Sequence, residues 1–228
     1  MKIYGFVLIF VSILTSKINS QDVNYNGMVI PGAVSQPTNP IKITLFYESY
    51  CPFSIKFMLQ QLYPVTMKYS KLLVLDLIPF GHCKVQQRKN GMYDFKCQHG
   101  EKECYGNRVH ACVIQQGVDK GNAKVVMALT CLMNYNYQDM EVKRCLEKSN
   151  LSWDRHKLCM LRDATTLEVA YGKRTHENVP EVKYVPFVIF NDTYNHHLEE
   201  IAVNNLEAAV CELFGPNKPD TCFNYNLI

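Results

Sequence analysis

Ile41-Lys-Ile-Thr-Leu-Phe-Tyr-Glu-Ser-Tyr-Cys-Pro-Phe-Ser54 carries the strongest fold signal in this 228-residue chain. The run at 41–47 is rich in β-forming side chains and predicts a strand. An apolar-periodic run over 54–70 predicts a helix, which Pro64 should kink or divide. Cys51 lies between the two elements, where a helix N-terminus stabilises a thiolate. This position favours a reactive thiol for Cys51 over one half of a structural disulfide.

The rest of the chain predicts an α/β protein. Residues 72–78 are a near-continuous apolar run, as expected for a parallel strand buried on both faces. A strand opened by a proline is predicted at 185–190, then a short strand at 195–201 that pairs back and a final helix at 205–214. Further helices are predicted at 105–115, 123–133, 140–148, 153–161 and 164–177. Apart from a cystine-rich helical insertion at about 84–162, the order β-α-β-α-β-β-α is that of a thioredoxin-like core.

The ends and the composition of the chain predict a secreted or lysosomal protein. Residues 1–20 are typical of a signal peptide, with an apolar core of about ten residues that is too short to span a membrane. Residues 21–40 predict a loosely held N-terminal arm, which leaves 41–228 as the folded domain. Sequons at Asn150 and Asn191 favour a glycoprotein. The net charge of +3 comes without a run of like charges, so neither a nucleic-acid partner nor a membrane span is expected.

All ten cysteines follow the predicted signal peptide, and most should pair in an oxidising compartment. With Cys51 and Cys83 set aside, eight remain for a structural framework, and eight cysteines allow 105 connectivities. These eight are Cys97, Cys104, Cys112, Cys131, Cys145, Cys159, Cys211 and Cys222. Because Cys211 and Cys222 flank a short turn, they are the favoured local pair.

Cys83 is a second candidate thiol. Cys51 follows the first predicted strand and Cys83 the second, and neighbouring parallel strands end at one sheet edge about 4.8 Å apart. We therefore hypothesise that Cys83 pairs with Cys51 or acts as its resolving thiol, the alternatives being a buried free thiol or a different structural pair. The cysteines and histidines at 82–83, 97–99 and 104 lack a standard zinc spacing, so no metal and no cofactor are expected.

Val185-Pro186 opens the strand predicted after the long helix. In the thioredoxin architecture this slot holds a cis-proline that faces the redox cysteine, and the backbone of the preceding residue pairs with a bound peptide. Cis bonds are essentially confined to X-Pro and mark a tight local geometry. The place directly before an apolar strand favours this role over an ordinary trans-proline at a strand edge.

The segment from Cys97 to Cys112 resembles a known family signature. Cys97-Gln-His-Gly-Glu-Lys-Glu-Cys104-Tyr-Gly-Asn-Arg-Val-His-Ala-Cys112 is similar to that of the gamma-interferon-inducible lysosomal thiol reductases, the GILT family, at every fixed position. Residues 77–81, 184–187 and 218–222 also resemble family segments. The resemblance implies a thioredoxin-like domain with a helical insertion, a secretory or lysosomal route, and reduction of protein or peptide disulfides at acidic pH. It also implies a Cys-x-x-Cys pair, which maps onto Cys51 and Ser54.

The chain departs from this pattern at Ser54. A hydroxyl cannot resolve a mixed disulfide by thiol exchange, so the two-thiol reductase cycle should be impaired. Three outcomes are then open. Cys51 acts as a monothiol, with small thiols completing the cycle, or it acts as an isomerase. Alternatively, reductase activity is lost and the fold serves as a binding surface. Ser54 is expected to cap the helix N-terminus. The two resulting hypotheses are a monothiol oxidoreductase and a catalytically degenerate secreted binding protein.

Overall fold

The computed structural model describes residues 40–222, except for the side chains at 118–120 and 217. Strand β1 (Ile41–Tyr47) lies in the middle of a three-stranded sheet. On one side it pairs in parallel with β2 (Leu73–Pro79), and on the other it pairs antiparallel with β5 (Phe187–Phe190). Alternate β1 side chains enter different apolar clusters, with Leu45 in one and Phe46 in the other. The central strand therefore has two buried faces, which explains its strong β signal.

Strand β2 differs from its prediction in one respect. It pairs in parallel with β1 as expected, but it is the outer strand of the sheet among the described residues. Val74 is 44% exposed, and Asp76 forms an ion pair with Arg174. The prediction of burial on both faces is therefore wrong, because the part of one face that carries Val74 and Asp76 is not fully covered.

The helix after Cys51 is divided as expected. It consists of α1 (Pro52–Phe57), a π-helical turn (Met58–Leu62) and α2 (Tyr63–Tyr69). Pro64 lies in the first turn of α2, where a missing N–H costs least. The wider π turn before it accommodates the proline without ending the helix.

The predicted insertion contains a hairpin and four helices. The hairpin, β3 (Lys84–Gln87) and β4 (Tyr93–Lys96), was not predicted, because its strands are short and polar. The helices are confirmed, and α3 begins four residues earlier than expected, after Gly100. They are α3 (Glu101–Lys120), α4 (Asn122–Leu132), α5 (Asp139–Lys148) and α6 (Trp153–Arg162). Helix α7 (Ala164–His176) then leads back to the sheet.

The prediction of a short strand at 195–201 is wrong. This segment belongs to α8 (His196–Asn204), and the last predicted helix is α9 (Leu206–Leu213). The Asn195 side chain accepts a hydrogen bond from the Leu198 N–H at 3.2 Å, which caps the new helix. Within 40–222, pairing beyond β5 is limited to one isolated bridge, between Phe190 and Thr193. The protein is α/β with a thioredoxin-like core and a cystine-tied helical insertion.

The predicted signal peptide and most of the predicted N-terminal arm lie outside the described residues. Among the helices within 40–222, none is both long and apolar enough to cross a membrane.

Candidate active site

Cys51 is the residue from which α1 starts. It is unpaired, only 5% exposed, and occupies the N-cap position with an extended backbone. Its Sγ lies 3.9 Å from the Val185 carbonyl oxygen, and the Val185–Pro186 peptide bond is cis. The two segments meet because β5 runs antiparallel to β1, so the start of β5 lies beside the end of β1. The topology thus places the thiol, the Val185 backbone and Pro186 at one edge of the sheet.

Ser54 does not cap the helix, so that expectation is wrong. It lies in the first turn of α1, fully buried, and its Oγ accepts a hydrogen bond from the Glu48 N–H at 3.3 Å. No side chain caps α1. Pro52 at the first helical position has no N–H to satisfy, which lowers the need for a cap. Ser54 instead ties the helix to the loop that precedes Cys51.

The same loop is held from the other side by the insertion. The Ser49 N–H donates to Asn107 Oδ1 at 2.9 Å, and the Ser49 hydroxyl donates to the Glu103 carbonyl at 3.2 Å. A Cβ at Gly106 would lie 2.5 Å from Ser49 Oγ, so only glycine allows this approach. The Tyr137 hydroxyl donates to the Ser49 carbonyl at 3.3 Å. Residues of the 97–112 signature therefore position the loop that carries Cys51.

His110 bridges the sheet and the insertion. Its Nδ1 lies 3.0 Å from the Tyr47 hydroxyl and its Nε2 lies 3.0 Å from the Tyr137 hydroxyl. Burial lowers the pKa of His110 to about 3, so the ring is neutral, with one nitrogen donating and the other accepting. This histidine has a structural role, since both nitrogens are used and the ring is fully buried.

Eight of the ten cysteines form four disulfides, and Cys51 and Cys83 are unpaired. The disulfides are Cys97–Cys104, Cys112–Cys159, Cys131–Cys145 and Cys211–Cys222. The last of these is the local pair favoured by the sequence. The others join helices, or a loop and a helix, that the sequence could not match to one another.

Cys83 lies just after β2, fully buried. Its Sγ accepts a hydrogen bond from Asn107 Nδ2 at 3.4 Å, and it lies within 4.8 Å of both sulphurs of the Cys97–Cys104 disulfide. Disulfide sulphurs are not thiolates, so this trio offers no zinc ligand set in its oxidised form. The structure brings Cys83 to this disulfide as a buried free thiol, which was one of the alternatives, and the hypothesised bond between Cys83 and Cys51 is not formed.

Two buried carboxyl groups beside Cys83 were missed from the sequence. Glu48 is fully buried; its Oε1 accepts the His82 N–H at 2.6 Å, and its Oε2 has no hydrogen-bond partner. Glu103 accepts from the His99 N–H at 3.0 Å, and the His99 ring contacts both carboxyl groups. One oxygen of each carboxyl lies within 4.8 Å of Cys83 Sγ. The available signal was an acidic residue directly after an apolar strand, and a glutamate inside the signature.

The pKa of Glu48 is raised to about 7. Burial is the main cause; the negative charge of Glu103 adds to it, while the His82 hydrogen bond and His99 oppose it. Glu48 therefore exchanges a proton near neutral pH, unlike an ordinary glutamate.

Replacing Glu48 with glutamine is expected to change how stability depends on pH. The folded pKa of about 7 exceeds the ordinary 4.5, so the folded state holds this proton more tightly than the unfolded chain. The stabilisation is complete below pH 4.5 and is lost as the pH rises through 7. The free energy of unfolding of the wild type should therefore fall relative to Glu48→Gln by on the order of 2 kcal/mol between about pH 4.5 and 7.5.

Urea unfolding of both proteins across this range measures the difference. Glu101→Gln, which removes an exposed carboxyl from the first turn of α3, is the matched control. Burial lowers the pKa of His110 to about 3 and of His156 to about 4. These two histidines raise the free energy of unfolding as the pH rises, whereas Glu48 lowers it. For this reason each variant is compared with the wild type at the same pH. A difference that stays constant across the range would contradict the raised pKa of Glu48 in the folded state.

A groove beside Pro186 can hold part of a peptide. It has a volume of about 460 Å³ and lies between α1, the π-helical turn, the start of β5 and the end of α8. Phe53 lines it and is 72% exposed, although it is a large aromatic side chain next to Cys51. Gln60 and Gln61 add amide groups that can bond to a peptide backbone.

Both predicted glycosylation sequons lie at the surface. Asn150 is exposed in the turn after α5, and Asn191 is exposed in the turn after β5. Asn191 Oδ1 accepts a hydrogen bond from the Lys42 N–H at 2.9 Å.

Comparison with known proteins gives consistent matches. Residues 42–149 match the model of the family described as gamma interferon inducible lysosomal thiol reductase (GILT). The chain is 33% identical over 198 residues to a gamma-interferon-inducible lysosomal thiol reductase-like protein of Anopheles gambiae, covering 81% of this chain and 80% of that protein. It is 27% identical to a Mus musculus gamma-interferon-inducible lysosomal thiol reductase, covering 82% of this chain and 73% of that protein.

Among solved structures, the crystal structure of Chlamydia trachomatis DsbA matches 82% of this chain and 97% of its own. The TM-score is 0.49 and the sequence identity is 12%.

Proposed function

Because the chain belongs to the gamma-interferon-inducible lysosomal thiol reductase family and has a thiol–disulfide oxidoreductase scaffold, we propose that it is a monothiol oxidoreductase. In this proposal Cys51 exchanges with disulfides of protein or peptide substrates. The observation that carries it is the unpaired Cys51 at the start of α1, with the Val185 carbonyl 3.9 Å away and the cis Pro186 beside it.

The reaction takes place in three exchanges. The Cys51 thiolate attacks one sulphur of a substrate disulfide, a Cys51–substrate disulfide forms, and the other substrate sulphur leaves as a thiolate that takes up a proton. A small thiol such as cysteine or glutathione then attacks the Cys51 sulphur and releases the second substrate thiol. A second small thiol regenerates Cys51. In sum, one substrate disulfide and two small thiols give a substrate dithiol and one small-molecule disulfide.

Ser54 makes the external thiol necessary. Its hydroxyl is not a resolving nucleophile for a disulfide, and in this chain it accepts the Glu48 N–H instead. Without a small thiol, the mixed disulfide persists or is attacked by another thiol of the substrate, which isomerises the substrate without net reduction.

In this proposal the substrate peptide lies along the groove next to Pro186. Cys51 is only 5% exposed, so a substrate disulfide has to enter between the Phe53 side chain and the loop at Val185. The backbone of Val185 offers a pairing edge for an extended peptide. The predicted signal peptide and the exposed sequons Asn150 and Asn191 support a secreted or lysosomal location, where disulfide substrates occur.

A secreted binding protein without reductase activity is the second candidate. The observation that favours it is the low exposure of Cys51 together with a hydroxyl at the buried position 54. A retained scaffold with an exposed Phe53 and a peptide-sized groove can bind without exchanging disulfides.

The test uses the chain from residue 21 and a denatured protein disulfide substrate at about pH 5. Reduction is expected to rise with added cysteine and to fall to the uncatalysed rate in Cys51→Ser. Cys83→Ser is the matched control and should keep the activity. Equal rates for the wild type and Cys51→Ser would exclude the monothiol enzyme. Substrate binding that survives in the inactive proteins would then favour the binding protein.

A further inference from the structure

The β3–β4 hairpin places Cys83 and Cys97 opposite each other. Lys84 pairs with Lys96 at the base of the hairpin, and the two cysteines are the next residues outward on each strand. Residues that face each other across an antiparallel pair have Cβ atoms about 4.5–5.5 Å apart. A disulfide needs only a small further approach of the two Cβ atoms. Extended by one residue, the register therefore places Cys83 across from Cys97.

Cys97 is bonded to Cys104 in the structure, with Cα atoms 5.6 Å apart. Cys83 Sγ lies within 4.8 Å of both of these sulphurs, and Asn107 Nδ2 holds it there through a hydrogen bond. We propose that Cys83, Cys97 and Cys104 form an internal thiol–disulfide exchange site, in which Cys97 alternates between Cys104 and Cys83 as its disulfide partner. This site does not use Cys51 and is independent of the proposed reductase function.

The exchange is balanced without an outside oxidant or reductant. The Cys83 sulphur attacks Cys97 Sγ, the Cys83–Cys97 bond forms, and the Cys97–Cys104 bond breaks with its electron pair on Cys104 Sγ. The released thiolate lies near the N-terminus of α3, where the helix dipole favours negative charge, and then takes up a proton. One disulfide and one thiol are present before and after the exchange.

The proton of Cys83 must leave as the attack proceeds. Burial raises the pKa of Cys83 well above its usual range, and the nearby carboxyl groups of Glu103, Glu48 and Glu168 raise it further. A free thiolate is therefore disfavoured at rest. Glu48 provides a proton acceptor, since one of its oxygens lies within 4.8 Å of Cys83 Sγ and its Oε2 has no hydrogen-bond partner.

Counting free thiols in two variants tests which sulphurs can pair. If Cys97 can form a disulfide with Cys83, the Cys104→Ser variant contains a Cys83–Cys97 disulfide and has only one free thiol, at Cys51. Cys97→Ser, the matched control, should show three free thiols, at Cys51, Cys83 and Cys104. Three thiols in both variants would overturn the exchange. One thiol in Cys97→Ser, whatever Cys104→Ser shows, would overturn the assignment of Cys97 as the shared sulphur.

Labelling of the wild type tests exchange in the folded protein, and only the test of Glu48 depends on a folded variant. The native chain is incubated with N-ethylmaleimide near pH 8, quenched with acid, and mapped by non-reducing peptide mass spectrometry. We expect time-dependent labelling of Cys104 together with a Cys83–Cys97 peptide, and at least a tenfold slower labelling in Glu48→Gln. Absence of labelled Cys104 while Cys97–Cys104 stays intact would overturn the proposal. An unchanged rate in Glu48→Gln would overturn the role of Glu48.

Discussion

In a single turnover of the reduced protein, Ser54→Cys is expected to speed the release of substrate from its mixed disulfide with Cys51 about 100-fold when external thiol is scarce, at about 1 mM. The release leaves a disulfide between Cys51 and the new cysteine, which two external thiols must reduce before the next turnover. In the wild type, release of the substrate depends on a collision with a small thiol. A cysteine at position 54 would lie one helical turn from Cys51, in the same first turn of α1. Even a modest effective concentration of about 0.1 M then exceeds the external thiol by about two orders of magnitude.

The substitution is compatible with the local structure. Ser54 is buried and makes one hydrogen bond, to the Glu48 N–H. A thiol is a weaker acceptor than a hydroxyl, so the variant should lose on the order of 1 kcal/mol of stability and remain folded. The gain should shrink as the external thiol is raised, because the small thiol then competes with the new cysteine.

Single-turnover rates of substrate release from the pre-reduced protein, at several cysteine concentrations, measure the effect. Ser54→Ala is the matched control, because it removes the hydroxyl without adding a thiol. The double variant Cys51→Ser, Ser54→Cys separates a two-thiol cycle from action of the new thiol alone, and it should be inactive. Equal rates for Ser54→Cys and Ser54→Ala would mean that Cys51 does not form a mixed disulfide with substrate.

Removing the Cys112–Cys159 disulfide is expected to lower the free energy of unfolding by about 4 kcal/mol. The two cysteines are 47 residues apart and join α3 to α6. A disulfide that closes so long a loop greatly reduces the conformational entropy of the unfolded chain. Both cysteines are buried in a small apolar cluster with Ala164. The loss matters for the active site, because α3 also supplies the Asn107 contact that holds the loop before Cys51.

Cys112→Ala with Cys159→Ala is the variant to measure, since it leaves no new thiol to exchange. Removing Cys131–Cys145 in the same way is the matched control, because this disulfide lies in the same insertion and its cysteines are 14 residues apart. The shorter loop should cost about 3 kcal/mol. Urea unfolding under non-reducing conditions gives both values. A smaller loss for the 47-residue pair than for the 14-residue pair would contradict the loop-length explanation.

Short-range signals account for the elements that were predicted well. The β1 strand, the divided helix after Cys51 and the helices of the insertion follow from periodicity, proline position and composition, which act within a few residues. The failures occur where a neighbour far along the chain, or a cap, competes with the local pattern. Strand β2 is apolar yet lies at the outside of the sheet, and Asn195 caps a helix at 195–201 where a strand was predicted.

From its sequence, this protein has a thiol at a strand–helix junction, a proline to open the strand beside it, and a serine where a resolving thiol would stand. These features are local, since each depends on residue type and on position within one element. The burial of a side chain, and the distance between segments that are remote in sequence, are decided only by the tertiary structure. Folding buries Glu48 and raises its pKa, makes Asn107 bridge Ser49 and Cys83, and brings Cys83 to the Cys97–Cys104 disulfide rather than into a bond with Cys51. No local pattern specifies such contacts, because they arise from packing between elements that are tens of residues apart.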